Sequence, residues 1–102
     1  MRRCKTVYFK LHERQGSRIL ACCDEEIAGK ELEFGETKIN VREEFYKGEK
    51  ASEKKLIELL SEADSANLMG KKSVEIALKS GFAEKGNVVM LGKVPHCQLY
   101  FV

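Results

Sequence analysis

The apolar positions of the chain switch between a two-residue and a helical period. In TVYFKLHE, Val7, Phe9 and Leu11 alternate with Tyr8, Lys10 and His12, the pattern of a strand with one buried face. ERQGSR turns the chain through Gly16 and RILACC returns it, so residues 5–23 are expected to form a β-hairpin. Asp24 then offers an N-cap before two acids, and Gly29 stops the segment, which predicts one helical turn or a tight connection. Leu32 and Phe34 before Gly35, with Ile39 and Val41 after it, give two short strands. EEFYKGEKAS is a polar connector, with Phe45 expected as a core plug and Tyr46 as its exposed neighbour. Ser52 caps a helix whose Leu56, Ile57, Leu60 and Ala63 recur at helical spacing. NVVMLG and HCQLYFV close the chain as a second hairpin over residues 87–102. Pro95 stands at its edge, where a missing N–H does no harm.

The stretch EADSANLMGKKS, residues 62–73, interrupts this order. Continuing the stripe of the first helix puts Asp64 and Asn67 at core positions, where unpaired polar groups cost several kcal/mol. A break after Ala63 relieves the conflict. Asp64 then becomes the N-cap of a second helix running toward Gly81, a contribution of about 0.5–2 kcal/mol. Ala66, Gly70, Ser73 and Ala77 form a row of small side chains along that helix. Asn67 falls one turn inside it, where an amide needs a hydrogen-bond partner or a ligand. Together the elements predict one α+β domain over residues 1–102. It is a two-layer sandwich, a largely antiparallel sheet of five to six strands with two main helices on one face.

Composition fits a globular chain: 43% hydrophobic and 33% charged residues, with no tryptophan. No apolar run reaches the roughly 18 residues of a membrane span, and the basic start MRRCK leads into no signal-peptide core. A cytoplasmic protein is expected, with no membrane partner. Its four cysteines, Cys4, Cys22, Cys23 and Cys97, then read as reduced thiols. The net charge of +2 hides a gradient. Residues 1–18 hold six basic residues against one acid, residues 24–62 seven against twelve, and residues 63–102 five against three. The basic first strand, with Tyr8, Lys10 and His12 on one face, offers a weak RNA contact.

Catalytic and metal motifs do not assemble. GKKS at residues 70–73 imitates the end of a phosphate-binding loop, but Ser65 stands where the first glycine belongs, and a helix is expected before it. Cys22 and Cys23 adjoin in a strand and face opposite ways, so a shared metal ion is disfavoured; neither metal nor cofactor is expected. His96 and Cys97 diverge for the same reason, with Cys97, Leu99 and Phe101 expected in the core and His96 exposed.

ACCDEEIAGK, VREEFYKGE, ADSANLMGKKSVEIALKSG and NVVMLGKVPHCQLY, in this order and spacing, resemble the small archaeal family catalogued as domain of unknown function 424. The resemblance spans nearly the whole chain and falls on Cys23, Asp24, Glu25, Gly29 and Lys30; on Glu44, Phe45, Tyr46 and Gly48; on Ala63, Asp64, Ala66, Asn67, Leu68 and Gly70; and on Val94, Pro95 and His96. It implies an archaeal cytosolic protein of compact α+β fold and supplies no reaction. Two functions follow as expectations. One is a small adaptor in archaeal translation or ribosome assembly, binding a protein or ribonucleoprotein partner. The other is a small enzyme or ligand-binding protein, with Asp64, Asn67, Lys71 and His96 converging on a polar pocket at the helix junction.

Overall fold

A computed structural model describes residues 6–101 of the chain. Strands β1 (Thr6–Arg14) and β2 (Ser17–Asp24) form the first hairpin, turned through Gln15 and Gly16, both at positive φ. Such a two-residue turn matches the right-handed twist of the strands it joins. A one-turn 3-10 helix, Glu25–Ile27, leads to a separate two-stranded ribbon of β3 (Glu31–Phe34) and β4 (Thr37–Asn40). The short helix α1 (Glu43–Tyr46), edge strand β5 (Glu49–Ser52) and helix α2 (Glu53–Glu62) follow. Strand β6 (Ser65–Met69), helix α3 (Lys71–Lys79), β7 (Val88–Leu91) and β8 (Val94–Tyr100) complete the fold.

The main sheet has six strands in the order β5-β1-β2-β6-β8-β7. All its pairs are antiparallel except β2 with β6. Both predicted hairpins therefore join one sheet. Alternation along each strand sorts the residues by face. Val7, Leu20, Cys22, Leu68, Cys97 and Leu99 pack with Leu56, Leu60 and Ile76 from α2 and α3. Ala21, Cys23 and Met69 point the other way, against Val41 and Tyr46. The two main helices lie on one face, as their amphipathic patterns require; the ribbon and one-turn α1 cover part of the other. The expected connector thus contains α1 and β5, because Tyr46 and Ala51 are buried. Tyr46, not Phe45, is the deeper plug: it is 7% exposed, while Phe45 is half-buried and stacked on His12 at 4.6 Å.

The predicted start of the second helix is a strand. Ser52 caps α2 as expected, accepting from the Lys55 N–H at 3.2 Å, and α2 ends at Ala63 in extended geometry. Residues 65–69 then enter the gap between β2 and β8, where Ala66 and Leu68 face the helices and Met69 the opposite side. A complete backbone ladder on both sides outweighs the weak helix preference of SANLM. Asp64 caps no helix. Its carboxylate accepts from the Arg18 N–H at 2.8 Å, and its own backbone bonds Arg18 and Phe101. Ala66, Gly70, Ser73 and Ala77 are all buried, but they belong to a strand, a turn and a helix.

α3 starts at Gly70, which holds φ 111° and supplies no capping side chain. The cap comes from Asp24 at the end of β2. Its carboxylate, 2% exposed, accepts from Lys72 N, Ser73 N and Ser73 Oγ, each at 2.9 Å. Asp24 makes no side-chain cap for the 3-10 turn that follows it. A Cβ on residue 70 would stand 2.4 Å from the Asp24 carboxyl carbon, so glycine is required there by both backbone angle and space.

Asp24→Ala removes this cap and leaves two backbone N–H groups and a buried hydroxyl without a partner. We expect a loss of roughly 2–4 kcal/mol in chemical denaturation. Asp64→Ala, at an exposed position, is expected to lose only about 0.5–2 kcal/mol; equal losses for the two would contradict the assignment.

The open half of the sheet as candidate functional site

The ribbon and α1 cover only part of the second sheet face. Tyr8, Lys10 and His12 of β1 meet α1 and its surroundings. Lys10 Nζ donates to the Glu44 carbonyl at 2.8 Å, and His12 Nε2 donates to the Phe45 carbonyl at 2.8 Å. Tyr8 lies under the Lys47 and Lys50 ammonium groups at 5.5 and 6.0 Å. The strand face expected to offer an RNA contact is therefore engaged in holding α1 to the sheet.

Beyond α1 the face opens. Register places Ser65 opposite Tyr100, Asn67 opposite Gln98, and Met69 opposite His96, which in turn faces Val89 on β7. Asn67 and His96 therefore share one face of neighbouring strands as diagonal neighbours, a spacing of about 7–8 Å in regular sheets. Both are half-buried, and no side-chain hydrogen bond holds either among the described residues. Gln98 Nε2 donates to Tyr100 Oη at 2.9 Å, and Tyr100 is 72% exposed. Strands β2, β6, β7 and β8 place no acidic or basic residue other than His96 on this face. It is a neutral surface of amides, an imidazole and a phenol beside Ile19 and Val89.

Of the four residues singled out in the sequence, the sheet brings together Asn67 and His96. It separates Asp64 and Lys71, which flank opposite ends of β6. Asp64 is committed to Arg18. Lys71 lines a cavity of about 240 Å³ with Asp24, Glu26, Ile27, Lys93 and Pro95. No helix junction exists to host the expected pocket. Gln98, Tyr100 and Val89 were missed because their relation to Asn67 depends on β6 being a strand; the alternation of β8 alone marked 96, 98 and 100 as outward positions.

The thiols are chemically quiet. Burial raises Cys22 and Cys97 above the usual thiol range, and Cys22 is also raised by its neighbour Cys23. Cys23 is pushed up to about 12, first by burial and then by Asp24, Glu26 and Glu43. All three are free and buried, so they remain protonated and packed, on opposite faces for Cys22 and Cys23. Cys4 lies outside the described residues. No group of three or more metal-ligating side chains occurs among the described residues, and no helix is long and apolar enough to cross a membrane.

The fold and surface define a small α+β protein with a partly covered six-stranded sheet. The family described as "Protein of unknown function (DUF424)" matches residues 12–102, and the chain belongs to it. An uncharacterized conserved protein from Methanopyrus kandleri, known from its crystal structure, is similar throughout, with a TM-score of 0.81 and 27% identity over 95% of this chain and 92% of that one. Its archaeal source agrees with the sequence resemblance. No curated protein matches the chain.

Burial holds the His96 imidazole below its usual pKa of 6.5. The folded state thus binds fewer protons there than the unfolded chain, and the stability this gives is full above the unfolded pKa and falls as pH drops through and below it. Between pH 7.5 and 5, His96→Gln should lose less stability than the wild type in urea denaturation, with equal slopes in the two proteins sinking the assignment.

Proposed function

We propose that this protein is a small binding module, without a reaction of its own, that takes a protein partner on the open half of its sheet. The setting we propose is an archaeal protein or ribonucleoprotein assembly such as the translation or ribosome-assembly apparatus, which the family resemblance suggests. One observation carries the reading: Asn67 and His96, half-buried and without a side-chain hydrogen bond among the described residues, keep their polar atoms open on a neutral face, beside an exposed tyrosine. Tyrosine is enriched, and charge depleted, at the centres of protein interfaces. An RNA backbone calls for lysine or arginine, which this face lacks. The separation of Asp64 and Lys71 across β6 argues against the pocket-enzyme alternative.

Tyr100→Ala and Asn67→Ala are predicted to leave stability within about 0.5 kcal/mol of wild type, as exposed or half-exposed substitutions do. A helical, packed Asn67 would instead have made its removal costly. In capture experiments from archaeal lysate with and without nuclease, wild type should retain a protein that survives nuclease. Tyr100→Ala should weaken its retention tenfold or more, as the loss of a central aromatic anchor does. Retention that disappears with nuclease would assign RNA instead, and undiminished capture by both variants would remove this face from consideration.

A further inference from the structure

The two edges of the main sheet differ. β5 carries Glu49 and Lys50 among its four residues, with Lys50 ion-paired to Glu25 at 3.1 Å. Charges of this kind discourage a further strand from pairing. β7, at the opposite edge, reads Val88, Val89, Met90, Leu91. It has no charge and no proline, and Val89 and Met90 stand 54% and 49% exposed.

Its backbone is presented for pairing. The Pro95 carbonyl accepts from Gly70 N–H at 2.9 Å, so the backbone of Pro95 faces β6 and not β7. Met90, the partner of Pro95, consequently turns its own N–H and C=O away from β8, toward the free edge. The Val88 carbonyl points the same way, while its N–H already donates to the Lys85 carbonyl. The edge therefore offers one donor and two acceptors within three residues.

Charge indicates what fits. From Lys85 to Tyr100 the chain has two lysines, Lys85 and Lys93, and no acid, and they bracket β7. A second copy paired antiparallel about Val89 would set Lys85 against Lys93 at both ends of the ladder. Paired about Met90, it would set Lys93 of each copy opposite the uncharged Asn87, with no acid to meet it. We infer that β7 receives an extended peptide segment of a partner protein, apolar at its centre and acidic at its ends, which adds to the sheet as a seventh strand. The inference rests on the protein-binding reading above, since Val89 belongs both to the edge and to the open face. Main-chain bonds would supply affinity and alternate side chains the selectivity.

The probe is the peptide acetyl-EEVTVTEE-amide, with acetyl-KKVTVTKK-amide as control, titrated into the full chain and followed by amide NMR. The acidic peptide should shift the Met90 amide and bind at least tenfold more tightly than the basic one at low salt. Met90→Pro deletes the outward N–H without touching a bond to β8, so it should keep the fold and lose tenfold or more in affinity, while Met90→Leu should retain binding. An unmoved Met90 amide, equal binding of the two peptides, or full binding by a folded Met90→Pro would overturn the inference, as would sedimentation showing that β7 pairs with a second copy. Tyr100→Ala separates the two readings. If it loses the captured partner but binds the peptide, both stand. Normal capture together with peptide shifts at Met90 leaves only the edge, and lost capture without those shifts leaves only the face.

Discussion

The joint between Asp24 and the first turn of α3 determines much of the architecture. A strand that runs through a glycine into a helix leaves backbone N–H groups at the helix start unsatisfied. In many α/β proteins a bound anion fills that position. Here β6 passes through Gly70 into α3, and the end of the adjacent parallel strand β2 delivers the carboxylate that does so. This single contact fixes α3 against the sheet, sets the closeness of Gly70 to β2, and occupies the place where a phosphate would bind. GKKS does follow a strand, contrary to the expectation from its surroundings, yet it is no phosphate site, because an internal acid already holds its N–H groups.

The hairpins, the Ser52 cap, the helical stripe of α2 and the α+β class were all legible, because each rests on local periodicity or on a residue acting within four positions of itself. Asp24 and Asp64 were both recognised as helix-start residues and both assigned to the wrong partner. Their carboxylates bond groups 48 or 49 and 46 residues away, and nothing in the local sequence carries that separation. β6 was lost for the same reason. SANLM alternates too briefly to show a period, and only the vacancy between β2 and β8 makes it a strand. Of the candidate site, the outward positions of β8 were readable, but not their neighbours.

The cover on the second face is asymmetric. α1 is short, and much of its attachment is made by β1 side chains that reach its carbonyls. This leaves the ribbon and α1 as a patch over Ala21, Cys23 and Met69, with the rest of the face uncovered. A rigid sheet with a bare half positions its side chains more exactly than a loop could. The buried cysteines beneath contribute volume and no reactivity.

The parallel pairing of β2 with β6 also orders events during synthesis. The hairpin of β1 and β2 can close as soon as it leaves the ribosome, but the second side of β2 has no partner until some forty further residues have been made. During that interval an apolar strand, RILACC, presents an unpaired edge, the kind of surface through which nascent chains associate. The intervening residues 24–62 carry twelve acids against seven bases. With the six bases and one acid of residues 1–18, they leave the chain through residue 62 with no net charge, so charge repulsion between neighbouring chains does not guard that edge, and it stays open until β6 arrives.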